Sequence, residues 1–126
     1  DAYIARKGMP NGEADLGNHD FVGSDSQDNR APFNVWMQEH IDPARQTYRA
    51  TTSRSVADAV IAGAGIGFIN DIDMNARSDL HEVIPAKPEW QAQLWLVSHV
   101  DLHWTAKVQA CLAHLKTVGK AACLKR

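Results

Sequence analysis

The chain has 126 residues, 44% of them hydrophobic and 22% charged, which fits one soluble globular domain and excludes disorder, collagen and coiled coil. Its formal net charge is −2 and no Lys/Arg cluster forms a stripe, so this segment is not built to grip nucleic acid through phosphates. The longest apolar run, residues 60–69, is broken by glycines at 63, 65 and 67 and falls short of the ~20 residues a membrane span needs.

In chain order, residues 2–6 predict a short helical piece halted by Gly8 and Pro10. A second turn at 13–16 leads to an extended segment at 20–23, where Phe21 and Val22 suit a short buried strand. The polar loop 24–29 is rich in turn formers. Pro32 suits the first turn of a helix reaching about His40, with Phe33, Trp36, Met37 and His40 or Ile41 at three- and four-residue spacings. Residues 45–51 alternate loosely and predict a strand. Ser53 is an N-cap candidate for a helix whose apolar face is Val56, Val60 and Ile61. Gly63 and Gly65 end that helix before a buried strand at 66–69.

Beyond it, 70–76 predicts a brief helical turn. Residues 81–84 predict an edge strand stopped by Pro85 and Pro88, and 93–99, alternating around Leu94, Leu96 and Val97, predicts another strand. From His103 the pattern is helical to Leu115 or further. Trp104, Val108, Cys111, Leu115 and Val118 form a full apolar stripe. Strands separated by helices predict a layered α/β fold. The sheet already has helices of its own, so the last helix is expected to pack on a second lobe mostly absent from this chain. The two cysteines, Cys111 and Cys123, read as reduced thiols of a cytosolic protein. The chain starts at Asp1, without a methionine or a visible signal peptide, which points to a boundary within a longer polypeptide.

The segment Ser55-Val56-Ala57-Asp58-Ala59-Val60-Ile61-Ala62-Gly63-Ala64-Gly65-Ile66-Gly67 resembles the helix–glycine–strand step of LysR-type effector domains. Three further pieces are similar to that family in order and spacing. They are Tyr3-Ile4-Ala5-Arg6-Lys7-Gly8-Met9-Pro10, then Asp15-Leu16 with His19-Asp20-Phe21-Val22-Gly23, and finally 93–99 with the helix from Trp104. Each encodes packing, and together they cover nearly the whole chain.

The resemblance implies an α/β fold like type II periplasmic binding proteins, two lobes joined by crossover strands with an effector between them. Residues 1–126 would be a partial effector domain, with about 20–97 the second lobe and about 100–126 the C-terminal helix returning to the first lobe. It also implies a cytoplasmic bacterial transcriptional regulator that assembles as a homodimer or tetramer. DNA would be bound only through an N-terminal winged helix-turn-helix outside this chain. The helix at 32–40 and the C-terminal helix are the candidate contact surfaces. Relatives commonly carry a proline after the buried strand where this chain has Asn70, a departure that points to a different effector.

Ligands of open α/β sheets sit outside strand ends, near helix starts whose free N–H groups favour anions. Thr52, Ser53 and Ser55 occupy one such start, where their hydroxyls can donate to a carboxylate, sulfate or phenol, or simply cap the helix. Ser24, Asp25, Ser26 and Arg30 follow the first strand, with Arg30 able to pair with an anion or to sit in a solvated turn. Phe68 and Asn70 close the other side by analogy, though Phe68 reads equally as core.

No metal, cofactor or catalytic set is expected. His99 and His103 flank Asp101, but the strand expected to end near His99 denies them one helical face. There is no Gly-x-Ser-x-Gly elbow or phosphate loop, and the glycines at 63, 65 and 67 precede a strand where a dinucleotide fingerprint opens a helix. Two rivals share the fold: an extracytoplasmic solute-binding protein, which a signal peptide would mark, and a deaminase-like enzyme, which ligand turnover would mark.

Overall fold

The computed structural model describes residues 1–123 apart from Gln27 and Leu94. The chain divides into two compact units, Asp1–Ala92 and Gln93–Arg126.

In the first unit, α1 (Ala2–Lys7) stops at Gly8 and carries Arg6 and Lys7 in its last turn, where cations suit the carbonyl end. A 3₁₀ turn, Glu13–Asn18, leads into β1 (Phe21–Ser24). Next come α2 (Pro32–His40), which opens on its proline as expected, and β2 (Gln46–Ala50). β1 and β2 pair in parallel, with Ser24 opposite Ala50. Then α3 (Ser53–Ile61) turns the chain back, ending before Gly63, whose φ of 81° is the left-handed conformation that stops a helix.

The expected strand at 66–69 reduces to one parallel bridge, Phe21 with Ile66, held by Val22 N–H to Ile66 O at 2.8 Å and Ile66 N–H to Asp20 O at 2.9 Å. Gly65 makes this approach possible, because a Cβ there would lie 2.6 Å from Asp20 O. Beyond Ile69 the chain caps α4 (Asp71–Asn75) with Asn70.

Alternation along β1 sends its side chains to two faces. Phe21 joins Leu16, Trp36, Met37 and Ile41 in the buried core under α2, while Val22, fully buried, borders Gly67 together with Val60 of α3. Each such fully buried aliphatic or aromatic side chain contributes about 1.5–3 kcal/mol. Phe68 completes this core through rings, with centroids 5.5 Å from Phe33, 5.9 Å from Trp36 and 4.9 Å from Trp90.

The edge strand expected at 81–84 does not form. Val83, Ile84 and Trp90 instead pack as irregular chain on the aromatic core, and Pro85 and Pro88 offer no N–H for a ladder.

In the second unit, the described residues of 93–99 form no strand, and Leu94, which that expected strand included, lies outside the described residues. Trp95 and Val97 are exposed at 75% and 89%. A strand needs a partner to satisfy its backbone, and among the described residues of this unit no strand pairs with them. α5 (Ala106–Cys123) begins three residues later than its pattern predicts, after the turn His99–Leu102 and the bond from Thr105 N–H to Leu102 O at 3.0 Å. Cys111 is a free, exposed thiol, and the side chain of Cys123 lies outside what is described.

Candidate functional site

The parallel register sets β2, β1 and the Ile66 bridge side by side with their C-terminal ends at one edge. All three segments singled out from the sequence leave the sheet there: 24–30 after β1, 52–55 after β2 and 68–70 after the bridge. That edge is where open α/β sheets hold ligands.

Three of the nine expected residues share one groove. Ser24, Asp25 and Arg30 line a cavity of about 480 Å³ between α2 and the strands. Asn34, Met37 and Gln38 supply its α2 wall, and Pro43, Gln46 and Arg49 the wall from β2 and the turn before it. Met37 is buried and comes so close to β1 that a Cβ on Gly23 would meet its Sδ at 2.9 Å. Ser24 Oγ accepts from Ser26 N–H at 3.2 Å, and Asp25 N–H reaches Ala50 O at 3.1 Å, so the loop leaves the sheet in a fixed direction. Ser26 thus shapes the loop and is not among the groove's lining residues.

The remaining residues have other local roles. The N-cap of α3 is Thr52, not Ser53: Thr52 Oγ1 accepts from Ser55 N–H at 3.1 Å and lies 2.9 Å from Ser55 Oγ. Thr52 has the extended backbone a cap requires, whereas Ser53 is already helical. Ser53 is exposed. Phe68 is core, as its second reading allowed. Asn70 caps α4 by accepting from Asp73 N–H at 2.8 Å, and its amide donates to Asp73 Oδ2 at 2.7 Å.

Asn34, Gln38, Gln46 and Arg49 were not singled out from the sequence. One signal was present: Asn34 and Gln38 are four apart on α2 and so share the face that also carries buried Met37.

Charge in the groove is lopsided. Arg30 and Arg49 stand against the single carboxylate of Asp25, and among the described residues neither arginine enters an ion pair. Among the described residues the Arg49 side chain makes one hydrogen-bond contact, at 3.5 Å to Pro43 O. Displaced titrations lie elsewhere. Asn18 and the Asn11 N–H, with His19 nearby, hold the Asp15 carboxyl below its usual range, and Arg77 does the same for Asp79.

Among the described residues no group of three or more His, Cys, Asp or Glu side chains is placed to hold a metal ion. His99 faces Asp101 at 3.5 Å while His103 Nδ1 lies 2.8 Å from Ser98 Oγ, so the two histidines engage different partners.

A parallel sheet covered on both faces, with polar groups gathered beyond its strand ends, is the framework of a ligand-binding α/β domain. The chain matches the family model for the LysR substrate binding domain over residues 1–120, and it belongs to that family. No curated protein and no solved structure matches it. The fold is thereby periplasmic-binding-protein-like α/β, and the chain is an effector-sensing regulatory domain of the LysR type. Domains of this family bind small molecules to regulate and are not enzymes. No described helix is long and apolar enough to cross a membrane.

Proposed function

We propose that this domain senses a small-molecule effector held between two lobes, and that binding shifts an oligomeric, DNA-bound regulator between conformations. The observation that carries the reading is the convergence of the three loop segments at the C-terminal edge of one parallel sheet. An effector that binds one lobe arrangement better than another moves that equilibrium by its differential affinity, with no covalent chemistry. Ser24, Asp25, Ser26, Arg30, Thr52, Ser53, Ser55 and Asn70 are the ligand-facing candidates. Phe68 acts from behind, by fixing the wall.

In this reading residues 20–97 form the second lobe, and 100–126 return to a first lobe encoded upstream. The regulator works in the cytoplasm as a homodimer or tetramer, and it reads DNA through an N-terminal winged helix-turn-helix. The test is the coding sequence upstream of Asp1. A winged helix-turn-helix, a linker helix and about seventy residues of α/β lobe support the proposal. A signal peptide makes the protein a transport receptor and overturns the regulatory mechanism.

A further inference from the structure

The groove under α2 specifies what kind of molecule it takes. Its volume of about 480 Å³ lies in the range that encloses a small organic ligand. Asn34 lines it at 7% exposure, and among the described residues its side-chain amide has no hydrogen-bond partner. Among the described residues the one buried side-chain atom without a partner is Trp90 Nε1, so the Asn34 amide stays in reach of solvent, its two donors and its acceptor open to water or to a ligand in the groove.

Water can satisfy an amide but does not balance charge. Two guanidinium groups, Arg30 and Arg49, face one carboxylate, Asp25, which leaves an excess positive charge in a chain whose net charge is −2. Such a local reversal of sign attracts anions, and a guanidinium grips a carboxylate or phosphate through two parallel N–H bonds. Gln38 and Gln46 add two more amides able to accept from hydroxyl or amino groups. Among the described lining residues Met37 and Pro43 are the apolar ones.

We propose that the groove between α2 and β2 binds a small oxyanion, carboxylate or phosphate, that also carries hydroxyl or amino donors. Arg30 and Arg49 take the anionic group, while Asn34, Gln38, Gln46 and Asp25 take the donors. The inference rests on the reading of this chain as an effector-sensing domain, and it names the chemical class of the ligand.

The test is titration calorimetry of the full chain with citrate, glucose 6-phosphate and, as a neutral polyol, glycerol. The expected result is binding of at least one anion and none of glycerol, weakening as salt is raised. Arg30→Gln and Arg49→Gln each lower the affinity about tenfold or more. Asn34→Asp keeps the side-chain shape, so retained circular dichroism with lost anion binding separates recognition from folding. Citrate alone binding assigns the anion as carboxylate, and glucose 6-phosphate alone assigns it as phosphate. Binding of neither anion overturns the proposal, as does binding that the two arginine variants leave intact. If Thr52→Val with Ser55→Ala abolishes binding while the groove variants do not, the sensing function stands and the groove is not its site. The regulatory reading itself is tested separately, by the upstream coding sequence.

Discussion

Tyr3 ties α1 to the segment before β1 through its hydroxyl, which accepts the Asp20 N–H at 2.8 Å and lies 3.1 Å from His19 Nδ1, with His19 Nε2 in turn 3.6 Å from Asp15. Tyr3→Phe removes the oxygen, strands the Asp20 N–H and leaves buried His19 with one partner fewer. The expected loss is about 1–3 kcal/mol in urea unfolding. Asp15 belongs to the same network. Its carboxyl is held below its ordinary value in the folded chain by the Asn18 amide first and the Asn11 N–H next. The stabilisation this represents is complete above the unfolded carboxylate value of about 3.9 and is lost as pH falls through the lower folded value. Asp15→Asn should therefore flatten the acid limb of a plot of stability against pH, while leaving its shape near neutrality unchanged. Single residues were legible where their chemistry is local. The turn-forming character of Ser24, Asp25 and Ser26 follows from their short polar side chains. Asn34 and Arg49 were not legible, because a groove joins residues of separate elements and no spacing along the chain encodes it.

Among elements, the helix–glycine–strand step was the most readable, since cap, apolar face and stop all lie within fifteen consecutive positions. Its cap is Thr52 and not the adjacent Ser53, a one-residue ambiguity that hydroxyl chemistry alone does not resolve. Thr52→Val removes the bond to Ser55 N–H and should cost about 0.5–2 kcal/mol, read from chemical denaturation. Gly65→Ala forces a Cβ to within 2.6 Å of Asp20 O, against backbone that cannot swing aside. Overpacking of this kind costs about 1–3 kcal/mol, and a lowered Tm is the expected readout. The segment 81–84, expected as an edge strand, and 93–99, which alternates as strands do, form no strand among the described residues. Helices are decided within a few turns of chain, whereas a strand exists only beside a partner, and among the described residues neither segment has one.

At the scale of the whole molecule, the second unit keeps much apolar surface in the open. Trp104 is 82% exposed, Leu115 44% and Val118 50%, along a stripe that also holds the exposed Cys111. Contiguous apolar surface of that kind marks an association face. Sedimentation velocity on the chain should show dimers or larger species, and a monodisperse monomer would count against it. The fold class was open to sequence because layered α/β order is written in the alternation of element types. The occupant of the site was not, because recognition depends on which groups converge. The measurement that bears most directly on ligand sensing is an amide chemical-shift titration of the chain with a panel of small organic anions. The account predicts perturbations confined to 23–30, 34–38, 46–55 and 68–70, with the ligand recovered unaltered. Perturbations elsewhere, or chemical turnover of the ligand, would contradict it.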